Sequence, residues 1–318
     1  MTATVITVHN FKGGVGKTTL TSVIAMGLAS MGKRVLLIDF DSQMSLTQIF
    51  VREDERLKIL ETSEDVTKDK SSYALLRTSQ PEKLIFRHVG KKVSFSIDII
   101  PGSFRSQFKV MFEGYMPIQA EFNLLKSLEL YRDQYDYILI DTAPSDVVNL
   151  KPIMRASHYV LIPEDGTPES FTAMRVFLKE GLAKYILPSP DGGLYKYPRI
   201  LGVVLTKVKS NAVKLLTKHN KVLEDELNDS VLKDHVIFPP YFGIDKPNPE
   251  SYILSSNKQY LSDLIWRDEQ RAPISDVFDK LSLVDPTAQK DIFAYLTKVF
   301  DTIPQEVVRR VENDRQLL

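Results

Sequence analysis

Gly13, Gly14 and Gly16 lead into Lys17, Thr18 and Thr19, and three carboxylates, Asp39, Asp41 and Asp141, stand at the ends of apolar runs. Glycines in a turn between a strand and a helix let backbone N–H groups converge on phosphate oxygens, and the helix N-terminus adds its positive dipole end. Lys17 then supplies a mobile cation for β- and γ-phosphates. Thr18 offers a hydroxyl to Mg²⁺, which prefers oxygen ligands and keeps several waters, and Thr19 contacts the α-phosphate. Asp39 and Asp41 are two residues apart, so an extended segment places both on one side.

Those residues need a scaffold, and the chain supplies one. Val5-Ile6-Thr7-Val8 reads as a buried parallel strand running into the glycine turn, residues from Lys17 to about Met31 show helical spacing, and Gly32-Lys33-Arg34 closes that helix. Val35-Leu36-Leu37-Ile38 is a second buried strand, completing a βαβ unit. Apolar runs at residues 97–100, 137–140, 159–162 and 200–205 alternate with helix-length segments, which predicts an α/β fold with a doubly wound, mostly parallel sheet flanked by helices. In open sheets of this kind, ligands bind outside the carboxyl ends of the strands. A strand is also expected at Val236–Phe238.

Residues 52–95 are charged and poorly periodic and read as a surface insertion in a core spanning residues 1–245. Residues 246–318, with Pro247, Pro249, Pro273 and Pro286 between helical stretches such as Ile292–Phe300 and Gln305–Arg315, read as a helical lobe packed on that core. One domain is expected.

With 41 basic and 41 acidic residues, no global field draws the chain to nucleic acid, so any such attraction must be local. Cysteine is absent, which excludes disulfides, thiolate metal sites, Fe–S clusters and cysteine nucleophiles. No apolar run approaches the ~18 residues that span a bilayer, and no basic segment with a following apolar stretch opens the chain, so a cytoplasmic protein is expected.

Three motifs in order, Lys12–Thr19 (KGGVGKTT), Leu36–Gln43 (LLIDFDSQ) and Tyr137–Ser145 (YILIDTAPS), resemble the deviant Walker A ATPases of the ParA/MinD family. Phe11 replaces the first glycine of the ordinary P-loop pattern, and Lys12 follows it. The resemblance implies ATP and Mg²⁺ as ligands and a homodimer closed around ATP, with Lys12 reaching the partner subunit's phosphates. A second cation beside the γ-phosphate acts as an arginine finger does.

By the same resemblance Asp41 orients the attacking water, Asp141 holds Mg²⁺ with Thr18, and Thr142-Ala143-Pro144-Ser145 senses the γ-phosphate. Lys12, Lys17 and Asp41 are thus the catalytic candidates. Asp39 is a third metal candidate, or else it caps a helix and braces the loop. Thr206, Lys207 and Pro239 stand where relatives line the base, although Ser42 and Phe238-Pro239-Pro240 depart from the family pattern.

From Arg199 to Leu223 the chain carries Arg199, Lys207, Lys209, Lys214, Lys218 and Lys221 and no acid. On a helix Lys214, Lys218 and Lys221 share one face, with Val213, Leu216, Leu223 and Leu227 toward another, which forms a ridge able to track phosphates. Arg309, Arg310 and Arg315 offer a weaker second patch. The P-loop at residue 12 leaves no room before it for a helix-turn-helix.

The reading that results is a ParA-like ATPase, slow alone and stimulated by a ParB-like adaptor, whose ATP dimer binds nonspecific DNA and is associated with the nucleoid. Alternatives are a sibling that positions a protein cargo, a MinD-like membrane regulator using the Ile292–Phe300 stripe, and a dethiobiotin synthetase-like ligase. Lys12 and the Asp41 motif argue against the last.

Overall fold

The computed structural model describes residues 2–51, 55–57, 69–77, 86–89, 96–104, 119–144, 147–208, 212–252 and 286–317. Its strands are β1 (Thr4–Val8), β2 (Val35–Phe40), β3 (Phe86–Val89), β4 (Ser96–Ile100), β5 (Tyr137–Thr142), β6 (Tyr159–Glu164) and β7 (Arg199–Leu205). They form one sheet in the order β3-β4-β2-β5-β1-β6-β7, parallel throughout except for β3, which runs antiparallel to β4. Short aliphatic runs suit such strands because both faces are covered.

Period-two alternation sorts the side chains onto those faces. Ile6, Val8, Leu37 and Leu139 pack beneath α1 (Lys17–Ser30) and the C-terminal part of α8 (Pro286–Leu317), through Ile303, Val307 and Val311. Val5, Leu36, Ile38 and Ile140 pack on the opposite face against α4 (Ala120–Glu129), and Val160, Ile162 and Val203 pack against α5 (Val147–Ala156), α6 (Pro168–Val176) and α7 (Ala212–Asn228). Each fully buried aliphatic side chain is worth about 1.5–3 kcal/mol, so the three layers hold together mainly by this burial. The predicted doubly wound sheet is what forms. Its crevice lies at the carboxyl ends of β1, β2 and β5, where the connection leaving β1 runs toward β2 and the one leaving β5 runs the other way to β6.

Helix α1 ends where expected: Gly32 N donates to Ala29 O and Lys33 N to Leu28 O, which satisfies carbonyls of the last turn. Helix α6 continues without a break as a π-helical segment, Phe177–Ile186.

Several expectations change. Much of 52–95 lies outside the described residues, but residues 71–76 within it are buried against the core, whereas Leu57 is exposed as a surface insertion predicts. Tyr73 is fully buried with its hydroxyl donating to Phe40 O, Ser72 donates to Asp39 O, and β3 joins the sheet. Val236–Phe238 is not a strand: its only bridge among the described residues is Ile200 to Val236, and Pro239, which has no N–H to donate, follows it. The two C-terminal helices are one helix, with Pro304 in its interior.

Of the Arg309, Arg310 and Arg315 patch, Arg310 is structural, while Arg309 and Arg315 are exposed. Arg310 is 1% exposed and donates to the carbonyls of Leu201, Ile237 and Tyr241 and to Glu306, which also holds Arg309. Arg315 donates to Thr2 O and to Thr4 Oγ1. Side chains of the Ile292–Phe300 stripe, Tyr295 and Leu296 included, lie outside those described, and no helix among the described residues is long and apolar enough to cross a membrane.

Candidate functional site

Strand β1 delivers the chain through His9 and Asn10 into the glycine turn. Asn10 fixes the turn on both sides, donating from its side-chain amide to Pro163 O at 2.8 Å and accepting from Lys12 N at 3.0 Å. Gly14 and Gly16 adopt φ of 74° and 93°, a region that costs a residue with a Cβ about 1–2 kcal/mol, and Gly16 then starts α1. Lys17 is 6% exposed, and its ammonium donates to the carbonyls of Asn10 and Lys12 at 3.1 Å each. Burial pulls the Lys17 pKa below its ordinary value, against the attraction of Asp141 and Asp41.

The carboxylates divide their work. Thr18 Oγ1 donates to Asp141 Oδ2 at 2.7 Å, so a hydroxyl and a carboxylate meet at the start of α1. Asp141 is fully buried, and burial, then the neighbouring Asp39, raises its pKa well above the usual range. That pairing of oxygen donors, beside backbone N–H groups and two lysines, suits a cation that keeps most of its waters. Among the described residues no three His, Cys, Asp or Glu side chains gather as a denser metal site.

Asp39, expected as a third metal ligand, is placed as a brace. Its Oδ1 accepts from Asp41 N at 2.9 Å, and its Oδ2 accepts from Thr47 N at 2.8 Å and Thr47 Oγ1 at 2.6 Å, which ties β2 to the first turn of α2 (Ser45–Phe50). Burial pushes its pKa up to about 6, against those hydrogen bonds. Asp41 is 9% exposed with Oδ1 accepting from Gln43 N at 2.9 Å, which holds it on the rim of the crevice.

Lys12 is folded back onto its own subunit. Its ammonium donates to Asp165 Oδ2 at 2.9 Å, Asp165 Oδ1 at 3.2 Å and Thr167 Oγ1 at 2.6 Å. Among the base candidates, Thr206 is fully buried, and its hydroxyl donates to Val15 O at 2.7 Å, so its side chain buttresses the turn from behind. Lys207, at φ 60°, donates to Gly14 O. Pro239 is half-buried after its cis bond, and Phe238 beside it is 36% exposed.

On α7, Lys214, Lys218 and Lys221 are exposed, and Leu216, Leu223 and Leu227 are buried, as the spacing predicts. Val213 departs from the apolar face at 40% exposure. Lys209 lies outside the described residues, as does Ser145. Arg199 is committed elsewhere, paired with Asp314 at 3.0 Å.

Sequence reasoning missed the residues that hold Lys12. Thr167 is the N-cap of α6, accepting from Ser170 N, with Pro168 following. Asp-Gly-Thr-Pro after an apolar strand is a legible helix start, yet nothing in the spacing ties it to a lysine 153 residues earlier. Also missed is His9, whose Nδ1 lies 2.8 Å from Thr142 Oγ1. The Thr142 hydroxyl donates to Val8 O, so the imidazole is the donor in that pair. Burial, helped by Lys17, lowers the His9 pKa to about 3.

Comparison with known proteins settles what such a site belongs to. A family model described as an AAA domain matches residues 3–180. The solved structure of pNOB8 ParA is 73% identical, with 98% of this chain and 99% of that one covered and a TM-score of 0.90. This chain belongs to the ParA family of P-loop ATPases. A second ParA structure, described as pNOB8 ParA bound to nonspecific DNA, is 68% identical over 98% of this chain and 99% of that one, with a TM-score of 0.84. The sporulation initiation inhibitor protein Soj of Bacillus subtilis (strain 168) is 31% identical over 160 residues, half of this ParA-family chain and 57% of Soj. The virulence plasmid ParA family protein pGP5-D of Chlamydia psittaci is also 31% identical, over 52% of this chain and 57% of its own length.

Proposed function

We propose that this ParA-family protein hydrolyses ATP to ADP and phosphate, closes as a homodimer around ATP, binds DNA nonspecifically in that state, and moves plasmid or chromosomal DNA with an adaptor of the ParB kind that stimulates hydrolysis. The observation that carries the reading is the 68% identity to a ParA whose structure is described as bound to nonspecific DNA, together with an exposed lysine ridge on α7. A solved plasmid partition protein of Borrelia burgdorferi B31, 27% identical with a TM-score of 0.52 over 79% of this chain and 95% of that one, is described as bound to AMPPNP, which supports an adenine nucleotide as the ligand.

In this reading the amides of Gly13–Thr19 and the Lys17 ammonium hold the phosphates, and Thr18 and Asp141 hold Mg²⁺. When bound, Mg²⁺ supplies positive charge to the phosphate oxygens. Asp41, fixed by Gln43 N at the crevice rim, orients the water. Lys12, freed from Asp165, supplies charge to the partner subunit's phosphates. Catalysis is then positioning and electrostatics, and no side-chain nucleophile is required. Association with the nucleoid follows from DNA binding.

The test is binding of the purified protein to random-sequence duplex DNA with ATP, ADP or no nucleotide across a salt series. About six phosphate contacts predict a loss of ~10³ in affinity between roughly 50 and 200 mM salt, in the ATP state. No binding in any nucleotide state overturns the proposal.

A further inference from the structure

Residues Glu164–Thr167 touch both ends of the proposed cycle. Asp165 and Thr167 take all the hydrogen bonds that the Lys12 ammonium makes. The Thr167 hydroxyl in turn donates to Asp165 Oδ1 at 2.6 Å, so the two acceptors are locked together. Burial alone would raise the Asp165 pKa, but hydrogen bonds from Thr167 and Lys12 outweigh it and hold the carboxyl below the ordinary range.

One residue earlier, Glu164 is fully buried. Its Oε1 accepts from Gly166 N at 2.7 Å, and its Oε2 meets Tyr241 Oη at 3.2 Å and His219 Nδ1 at 3.1 Å. His219 lies on α7 between Lys218 and Lys221 and stacks on Phe171 of α6 with ring centroids 4.1 Å apart. Gly166 itself, at φ 78°, sits so close to α7 that a Cβ there would come within 2.7 Å of Leu215. Leu215 and His219 are one turn apart, and Lys214, Lys218 and Lys221 lie on the solvent side of the same helix. Gly166 thus packs against the Leu215 side chain, and Glu164 is hydrogen-bonded to His219, so a shift of this segment is felt at two points one turn apart on α7.

We propose that Glu164–Thr167 is a relay in which Asp165 and Thr167 position Lys12 within its own subunit, while Glu164 and His219 make release of that lysine move the basic face of α7. The proposal rests on the ATP-dimer and DNA reading above. ATP-driven release of Lys12 and DNA contact at α7 then share one coupling, and each favours the other by the same factor.

The experiment measures affinity of the full chain for random duplex DNA in ATP and in ADP, for the wild type, Asp165→Asn, His219→Leu and His219→Asn, with ATP affinity and melting temperature read in parallel. The ATP-to-ADP ratio of DNA affinity should fall at least about fivefold in Asp165→Asn, because ADP-state binding rises. It should fall by a similar factor in His219→Leu through weaker ATP-state binding, and it should recover in His219→Asn, whose amide stands where Nδ1 does and can still donate to Glu164. ATP affinity measured without DNA should rise in Asp165→Asn, because ATP no longer has to drive Lys12 release, and should stay within about twofold in the His219 variants, whose side chain lies outside the phosphate turn. A purely structural His219 would lower the melting temperature and leave the ratio alone, and folded variants that keep the wild-type ratio overturn the relay. Wild-type protein that ignores DNA in every nucleotide state overturns the partition reading, and the relay with it.

Discussion

Asp39 and Asp141 are register partners on β2 and β5, and the Thr18 hydroxyl donates to Asp141 while Asp39 is spent on Thr47 and the Asp41 amide. The two carboxylates should therefore respond differently to loss. Thr18→Ala or Asp141→Asn should abolish the tightening of ATP binding by Mg²⁺, by about tenfold or more, and leave metal-free binding nearly intact. Asp39→Asn should lower stability instead. A fluorescent ATP titration with and without Mg²⁺, beside a urea melt, separates these outcomes.

Asp41→Ala should slow hydrolysis by about 10²–10⁴-fold with ATP binding retained, so that ATP-bound dimer accumulates. Single-turnover kinetics and size-exclusion chromatography with ATP check this. Normal turnover in the variant would remove Asp41 from catalysis.

Replacing Lys214, Lys218 and Lys221 by alanine should weaken DNA binding regardless of sequence and reduce the slope of log affinity against log salt by up to about three. The three side chains are exposed, so melting should barely change. A slope identical to that of the wild type would move the DNA surface elsewhere.

Much of this site is legible in the chain because its signals are local. Gly13 to Thr19 announce a phosphate turn by spacing, and the runs before Asp39 and Asp141 are too short and too aliphatic to be anything but buried parallel strands. The lysine face of α7 follows from residues three and four apart. What escapes is long-range. Nothing near Lys12 points to Asp165, nothing near Arg310 points to the carbonyls of Leu201 and Tyr241, and His219 reads as one more polar residue in a basic helix until Glu164 is placed beside it. The antiparallel β3 and the buried Tyr73 escape for another reason: both are flanked by charged residues, and β3 is defined by its backbone pairing with β4 rather than by side-chain periodicity.

Arg310→Leu should destabilise the fold by about 3–5 kcal/mol, because it leaves three interior carbonyls without their donor and removes one of the two arginines that hold Glu306. Chemical denaturation of the two proteins tests it. An unchanged midpoint would mean that the C-terminal helix contributes little to the cooperative core.

The His158 imidazole accepts a hydrogen bond from Val5 N at 2.9 Å, and burial, then Arg132 and Arg315, lowers its pKa from 6.5 to about 4. The unfolded chain therefore binds a proton more readily than the folded one between those values. The contribution of the neutral ring is fully present above pH 6.5 and is lost as pH falls toward 4, with a loss of up to about 3 kcal/mol. Urea midpoints across that range should fall more steeply for the wild type than for His158→Asn, and parallel curves would assign the acid sensitivity to other groups.

The hydrogen bonds from Arg315 to Thr2 and Thr4 bring the far end of α8 to the start of β1, on the rim of the sheet opposite the nucleotide crevice. A fluorescent reporter or affinity tag joined near either of these positions would thus project away from the crevice at the carboxyl ends of the strands. The molecule can be labelled for tracking, or tethered to a surface, by that rim while its working side stays clear.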